Sequence, residues 1–404
     1  MYAFYAFGLI ILIAFLGSRF AFRRRNQLSP LNFFWLSGIV YLFLGLYLGE
    51  MGSGILSGNV LTGLTPILSF SLGWIGFIFG FQLEHRYLRK FPRNYLGLSL
   101  FQSLVVMFFG FAGSLPLLRI LLPTAGSGIH TGMAVAFGLL ISLNSPILLN
   151  AAAFTMNRKG RSYYLARFLV SISGFWALLG LSFVTSFWHF PIANPRSLGK
   201  GVMLMLVSTA FPVLLGWMFH LLTRRKISEP DLLVYLLGLV FFVSGASFTF
   251  HFPPLYVCMV LGMTFSNLTK KQEKIYRLLL STEKPLYIIL LILIGALWKL
   301  SFGYEIALMV FILLLVRILG YAVSSPVFAR LFGFPWRLPS RFGLSFLSFG
   351  GIGVAYAVSL HQVYPLPESD YFLSAALLSI LLGEIVSPIA LRISLRPTDG
   401  GETG

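Results

Sequence analysis

The segment Ser142-Leu143-Asn144-Ser145-Pro146 interrupts an apolar stretch of the chain. Pro146 has no backbone N–H, and its ring obstructs the preceding turn of a helix. A second apolar stretch is interrupted by Ser348-Phe349-Gly350-Gly351-Ile352-Gly353, where the glycines weaken a helix. Backbone groups freed inside a bilayer are costly unless something satisfies them. The two breaks predict either discontinuous helices around a cavity or plain kinks capped by Ser and Asn.

The composition is that of an integral membrane protein. Of the 404 residues, 57% are hydrophobic and 10% are charged, which is too apolar for a water-soluble surface. An apolar segment of roughly 18 to 25 residues crosses about 30 Å of hydrocarbon as a helix. We expect about thirteen such spans in an all-α protein, at 3–21, 32–50, 63–83, 95–118, 132–156, 163–187, 201–222, 231–249, 253–267, 285–302, 304–326, 341–361 and 370–391.

The positive charges of the chain lie mostly in alternate loops, which indicates the topology of the spans. A net charge of +18 would suit nucleic-acid binding, but 23 of the 30 Lys and Arg residues fall in alternate loops. The positive-inside rule then predicts a cytoplasmic C-terminus and an N-terminus outside. The expected neighbours of the basic loops are anionic membrane lipids, with no nucleic acid. Short loops and tails favour a bacterial inner membrane.

Features of the sequence recur at a separation of seven spans. The breaks lie in spans five and twelve, and similar Leu-Gly motifs end in Met51 and Met263 near the ends of spans two and nine. An odd separation reverses the direction of each pair, as the inverted repeats of transporters require. The pairs Gly45 with Gly49 and Gly76 with Gly80 have small-xxx-small spacing, which suits either a dimer interface or packing within one protomer.

Several of these motifs resemble those of the monovalent cation:proton antiporters. The run Leu72-Gly73-Trp74-Ile75-Gly76-Phe77-Ile78-Phe79-Gly80-Phe81-Gln82-Leu83-Glu84, with basic residues after it, is similar to the third helix of the sodium/hydrogen exchanger and potassium-efflux branch. Asn144-Ser145-Pro146 resembles the family's unwound helix, and Ser348 to Ala357 resembles its crossing partner. The resemblance covers about 30 to 392. It implies an inverted-repeat antiporter fold with two crossed discontinuous helices.

The resemblance also implies a division into two moving parts. Residues 1–90 and 231–302 would form a scaffold, which usually dimerises in the family, so we expect a homodimer. Residues 95–187 and 304–392 would form the transporting core, with 201–222 as the connecting helix. The polar, Gly-rich residues 393–404 are predicted to be a disordered tail.

Span six departs from the family pattern. The family has an Asp there that binds the cation and releases protons, because a carboxylate can hold one or the other. In this chain the same helix reads Arg167-Phe168-Leu169-Val170-Ser171-Ile172-Ser173-Gly174-Phe175-Trp176, so the position is Ser171, Ser173 or Gly174. None of these side chains titrates. Proton and cation would have to compete for a carboxylate elsewhere.

Two charged residues lie deep inside the predicted core spans. Arg317 is in span eleven, where the family often has Lys, and Glu384 is in span thirteen. A charge at this depth is costly without a partner, so the two are a candidate pair. Alternatively, Arg317 snorkels or bonds broken-helix carbonyls as a structural strut. The predicted pathway for ion or substrate comprises Asn144, Ser145, Pro146, Ser171, Ser173, Arg317, Gly350, Gly351 and Glu384.

The predicted function is secondary transport of the cation:proton antiporter type, with coupling ion and substrate open. A monovalent cation or proton would use Glu384 with the oxygens of Asn144 and Ser173. An anion would instead use Arg317 and the N-termini of the half-helices. The alternative is a non-transporting or anion-handling relative that keeps the fold as a sensor or scaffold. The sequence contains no catalytic constellation, metal-ligand spacing or phosphate loop, so neither enzyme activity nor a cofactor is expected.

Overall fold

A computed structural model describes residues 2–20, 38–89, 91, 93–146, 148–150, 161–188, 197–223, 228–269, 272–299, 303–331, 341–364 and 366–394. The described residues form an all-helical protein. Its main helices are α1 (Tyr2–Phe20), α2 (Ile39–Leu48), α3 (Gly58–Gln82), α4 (Arg93–Leu121), α5 (Ser127–Ser142), α6 (Arg161–Phe187), α7 (Leu198–Thr223), α8 (Glu229–Thr249), α9 (Pro254–Leu268), α10 (Gln272–Leu297), α11 (Tyr304–Leu331), α12 (Gly350–Val363) and α13 (Pro367–Ser394). A short helix, His85–Leu88, follows α3, and a 3-10 helix, Phe342–Phe346, precedes α12.

The helices α1 to α13 correspond in order to the thirteen predicted spans. Among the described residues, eight helices are long and apolar enough to cross a membrane, and shorter apolar helices accompany them. The prediction of a multi-pass, all-α membrane protein is therefore confirmed. Several of the basic residues predicted to lie in loops, among them 23–25, 158–159 and 224–226, are outside the described residues. So are residues 395–404 of the predicted tail, whereas 393 and 394 are the end of α13.

The boundaries predicted for the tenth span were wrong. The prediction placed the span at 285–302, but α10 is already helical from Gln272 and ends at Leu297. Its first part is amphipathic: Ile275 and Leu279 are buried, whereas Lys284 is exposed. Apolar residues on one face let a charged segment pack as a helix. The segment that the prediction treated as a loop therefore belongs to the helical wall of the protein.

Packing divides the helices into two groups. The first group contains α1 to α3 and α8 to α10, and the second contains α4 to α6 and α11 to α13, with the 3-10 helix. Helix α7 packs on α6 of one group and on α9 of the other. We call these the first and second helix groups. Their roles as scaffold and core stay a prediction.

Glycines bring helices of the first group into backbone contact. A Cβ atom on Gly76 or Gly80 of α3 would overlap the carbonyl of Leu255 or Met259 in α9. A Cβ atom on Gly45 of α2 would likewise overlap a carbonyl of α10. Because only glycine allows this approach, the small-xxx-small pairs pack helices together within one protomer.

Candidate functional site

The two sequence breaks meet at one crossing. Helix α5 ends at Ser142, and residues 143–145 are unwound before the helix resumes at Pro146. Residues 347–349 are likewise unwound before α12. The Ser145 N–H donates to the Ser348 carbonyl at 3.1 Å. Gly350 has φ +63°, and a Cβ atom there would overlap the Ser145 side chain. The crossing of two discontinuous helices is therefore confirmed.

Arg317 of α11 is buried at this crossing, with only 1% of its surface exposed. Its guanidinium carbon lies 3.7 Å from the ring centroid of Phe349. Its N–H groups donate to chain oxygens from both breaks: Ile141 O, Leu143 O (2.8 Å), Asn144 Oδ1 (3.1 Å), Phe346 O (2.9 Å) and Ser348 O (3.3 Å). Carbonyls left unpaired in a bilayer are costly. This geometry favours the strut interpretation of Arg317.

Asn144 belongs to a network of buried polar side chains at the crossing. Its amide Nδ2 donates to Tyr321 Oη at 2.7 Å and to Ser173 Oγ at 3.1 Å. Tyr321 Oη in turn donates to the Ser142 carbonyl at 3.1 Å, and Ser173 Oγ donates to the Val170 carbonyl at 3.0 Å. Sequence reasoning missed Tyr321. Its signal was its position four residues after Arg317, which places both on one face of α11.

Glu384 of α13 accepts hydrogen bonds at the start of α12. Its Oε1 accepts from Phe349 N at 2.8 Å, Gly350 N at 2.7 Å and Ser348 Oγ at 3.0 Å. A carboxylate at this position satisfies N–H groups that a helix start leaves free. Among the described residues, Arg317 and Glu384, the candidate pair, make no direct ion pair, and each charge bonds the unwound backbone. The breaks free both carbonyls and N–H groups. Arg317 binds the carbonyls, and Glu384 binds the N–H groups.

A cavity of about 310 Å³ lies beside Glu384, between the two helix groups. We call it the intergroup cavity. The predicted site residues that line it are Ser145, Gly350, Gly351 and Glu384. Asn144, Ser173 and Arg317 do not line it. Glu384 and the oxygens of Asn144 and Ser173, which were expected to share a cation, therefore do not line this cavity together.

Helix α10 forms one wall of the intergroup cavity, and the sequence did not predict this wall. It carries Glu283, Lys284 and Tyr287, and Ile39 and Leu42 of α2 lie beside it. The predicted span began at 285, so the two charged residues were assigned to a loop. The available signal was the amphipathic pattern that precedes Pro285.

Two of the three positions in α6 at which the family's Asp was expected, Ser173 and Gly174, are closely packed. A Cβ atom on Gly174 would lie 2.7 Å from Phe79 Cζ, and Ser173 is held in the Asn144 network. Ser171 borders a second cavity, of about 350 Å³, that Arg167 and Glu273 also line. No group of three His, Cys, Asp or Glu side chains suited to a metal ion occurs within the described ranges.

Comparison with known proteins agrees with this architecture. The chain is similar in fold to a structure of the sodium proton antiporter MjNhaP1 from Methanocaldococcus jannaschii at pH 8, with a TM-score of 0.68 and 15% sequence identity over 96% of this chain and 100% of that one. An electron-microscopy structure of MjNhaP1 gives a TM-score of 0.62 and 12% identity over 88% and 90% of the two chains. No curated protein gives a significant sequence match. The sequence model described as "Sodium/hydrogen exchanger, transmembrane" matches residues 9–396. The chain therefore belongs to the sodium/hydrogen exchanger family of membrane transport proteins.

Proposed function

We propose that this protein is a secondary transporter that exchanges a monovalent cation for protons, with Glu384 as the carboxylate for which the two compete. The observation that carries the proposal is the position of Glu384. It is buried at the crossing of the discontinuous helices and lines the cavity between the helix groups. A carboxylate inside a membrane domain is costly and marks an ion or proton pathway. Glu384 would replace the Asp that α6 lacks.

The proposed mechanism is alternating access. The second helix group, as core, would move against the first group, as scaffold, and expose the crossing to each side in turn. Glu384 would bind a cation when ionised and release it on protonation. The proposal includes a homodimer in a bacterial inner membrane, with the N-terminus outside and the C-terminus cytoplasmic.

Two observations bear on the anion-handling alternative. The Arg317 guanidinium is occupied by chain oxygens and covered by the Phe349 ring, so it does not face the intergroup cavity. The N–H groups at the start of α12 already bind Glu384. An anion would have to displace these partners, which makes the positive site less suitable than the carboxylate site.

A non-transporting relative is the second candidate, and the Asn144 network favours it. Asn144, Ser173 and Tyr321 satisfy one another, and Phe79 fills the space at Gly174. Glu384 itself is bonded as a helix cap. These contacts would also suit a fold that is retained as a sensor or scaffold.

Proton flux in proteoliposomes separates the two candidates. A pH gradient is imposed across vesicles that contain the purified protein, and an internal pH dye follows proton movement when Na⁺, K⁺ or tetramethylammonium is added outside. Glu384→Gln is the test variant, because its side-chain carbonyl still accepts the capping hydrogen bonds but cannot carry charge. Glu305→Gln is the matched control, because its backbone oxygen, and not its carboxylate, is the atom that Tyr371 contacts.

We expect the native protein and Glu305→Gln to couple at least one cation to proton movement, and Glu384→Gln to behave like empty liposomes. Equal flux in Glu384→Gln would remove Glu384 from the mechanism. Native protein that moves no protons with any of the cations would favour the non-transporting relative.

A further inference from the structure

The intergroup cavity is large for a bare metal ion. Its volume is about 310 Å³, whereas one water molecule occupies about 30 Å³ of liquid. Pockets of about 300 to 1,000 Å³ with apolar walls and a few polar groups are typical sites for small organic ligands. The size therefore indicates a ligand of several non-hydrogen atoms.

The walls of the cavity are mostly apolar, and the side-chain oxygens among the lining residues are those of Ser145, Ser348, Tyr287 and the two glutamates. Ile39, Leu42 and Leu291 line it from the first helix group, and Val354, Ile380 and Leu381 line it from the second. Glu384 Oε1 already accepts three hydrogen bonds. A dehydrated alkali ion needs protein oxygens in place of its hydration shell, and the apolar part of the wall does not provide them. The same side chains suit the carbon atoms of an organic cation.

The charged groups of the cavity stand on opposite walls. Glu283 comes from α10 of the first helix group, and Glu384 comes from α13 of the second. Lys284 adds one positive charge among the lining residues, so with both carboxylates ionised their sum is −1. One bound monocation would neutralise this charge.

Tyr287 places an aromatic ring between the two walls. It lines the cavity one helical turn after Glu283 and lies close enough to both carboxylates for each to act on it electrostatically. On the opposite wall, a Cβ atom on Gly351 would lie 2.6 Å from the Tyr287 ring. Aromatic rings attract organic cations, quaternary ammonium groups in particular.

From these observations we propose that the intergroup cavity is a binding site for a small organic monocation, held by Glu283 and Glu384 and enclosed by Tyr287 and the apolar side chains. This inference rests on the proposed function, because it names the class of cation that the transporter would carry. It also assigns a role to Glu283. Because the two carboxylates belong to different helix groups, the bound cation would join one group to the other.

Binding of radiolabelled tetramethylammonium to the purified, full-length protein tests the proposal. This probe carries a permanent charge, so it cannot cross a membrane as a neutral amine and disturb a pH gradient. We expect saturable binding that equimolar NaCl or KCl does not displace. Glu283→Gln should weaken binding about tenfold or more through the loss of one charge in a largely buried site, and Glu305→Gln should leave it unchanged.

Leu381→Trp is a second variant that fills the cavity without changing its charge. We expect it to abolish binding while the protein stays monodisperse and keeps its thermal unfolding transition. The proposal is overturned if folded native protein shows no saturable binding, if Glu283→Gln or Leu381→Trp binds as well as native protein, or if NaCl displaces the probe at equal concentration.

The results for this inference and for the proposed function are distinguishable. Proton exchange with Na⁺ that requires Glu384, without tetramethylammonium binding, would leave the transporter proposal standing and reject the organic cation. Tetramethylammonium binding that requires Glu283, without proton exchange, would support the site and reject antiport.

Discussion

Arg317 and Glu384 bind the same residue, Ser348, without forming an ion pair with each other. Arg317 Nη2 donates to the Ser348 carbonyl at 3.3 Å, and the Ser348 hydroxyl donates to Glu384 Oε1 at 3.0 Å. The cation serves the carbonyls that the breaks set free, and the carboxylate serves the N–H groups. Each charge is thus stabilised by unwound backbone, which explains how both persist at this depth.

Replacing Arg317 with Lys should destabilise the protein strongly. The guanidinium serves five acceptors, and an ammonium with three donors on one atom cannot reach them all. With two or more acceptors left unpaired at about 1–3 kcal/mol each, the loss should be about 2–6 kcal/mol. Thermal unfolding of the purified protein, followed by tryptophan fluorescence, measures it.

The control is Arg119→Lys, because Arg119 is exposed near the end of α4. Its melting temperature should match that of the native protein. An unchanged melting temperature in Arg317→Lys would contradict the strut role.

Gly350→Ala should lower stability because of its backbone conformation. A positive φ costs a non-glycine residue about 1–2 kcal/mol, and the new methyl group would also overlap the Ser145 side chain. Gly245→Ala in α8 has open space around it and should stabilise by up to about 1 kcal/mol. Opposite shifts in melting temperature are expected. A drop of equal size in both variants would argue against a specific crossing geometry.

Restoring a carboxylate to α6 should depend on which position receives it. Ser171→Asp should fold normally, because Ser171 borders the second cavity. Gly174→Asp should lower the melting temperature, since its side chain would collide with Phe79. Adding Phe79→Ala to Gly174→Asp should recover part of the loss. If Gly174→Asp is as stable as Ser171→Asp, the packing described at Gly174 is incorrect.

Tyr321→Phe should open the Asn144 network without changing shape. It removes the acceptor of Asn144 Nδ2 and the donor to the Ser142 carbonyl, at a cost of about 1–3 kcal/mol. The readout is the shift in chemical unfolding midpoint. Tyr304→Phe, which changes an exposed ring, should show no shift. If both variants unfold at the same midpoint, the network does not contribute to stability.

The architecture of the protein could be predicted from local signals. Pro146 and the glycines after Phe349 disturb their own helices, and apolar length identifies most spans, so these features need no tertiary information. The partners of Gly76 and Gly80 could not be predicted, because small-residue spacing shows only that some backbone approaches closely. The structure supplies those partners in α9.

The candidate site was harder to predict because its contacts are long-range. The sequence identified Glu384 as a buried acid. Its role as acceptor for the N–H groups of Phe349 and Gly350 could not be predicted, because those residues lie the length of about ten helical turns earlier in the chain. Glu283 was missed for a local reason. Charged neighbours made the start of α10 resemble a loop, and its buried face becomes evident only when Ile275 and Leu279 are seen packed.

The backbone contacts in the first helix group have a mechanical consequence. The contacts are reciprocal: Gly45 meets Ile292 while Gly295 meets Leu42, and Gly76 and Gly262 do the same between α3 and α9. Helices whose backbones are in contact in this way cannot slide past each other without collision, so we expect the first helix group to move as one rigid unit. Between the two helix groups, by contrast, Tyr287 packs against Gly351 and Phe79 packs against Gly174 through aromatic side chains, and a side chain can change rotamer with less disturbance than a backbone can shift.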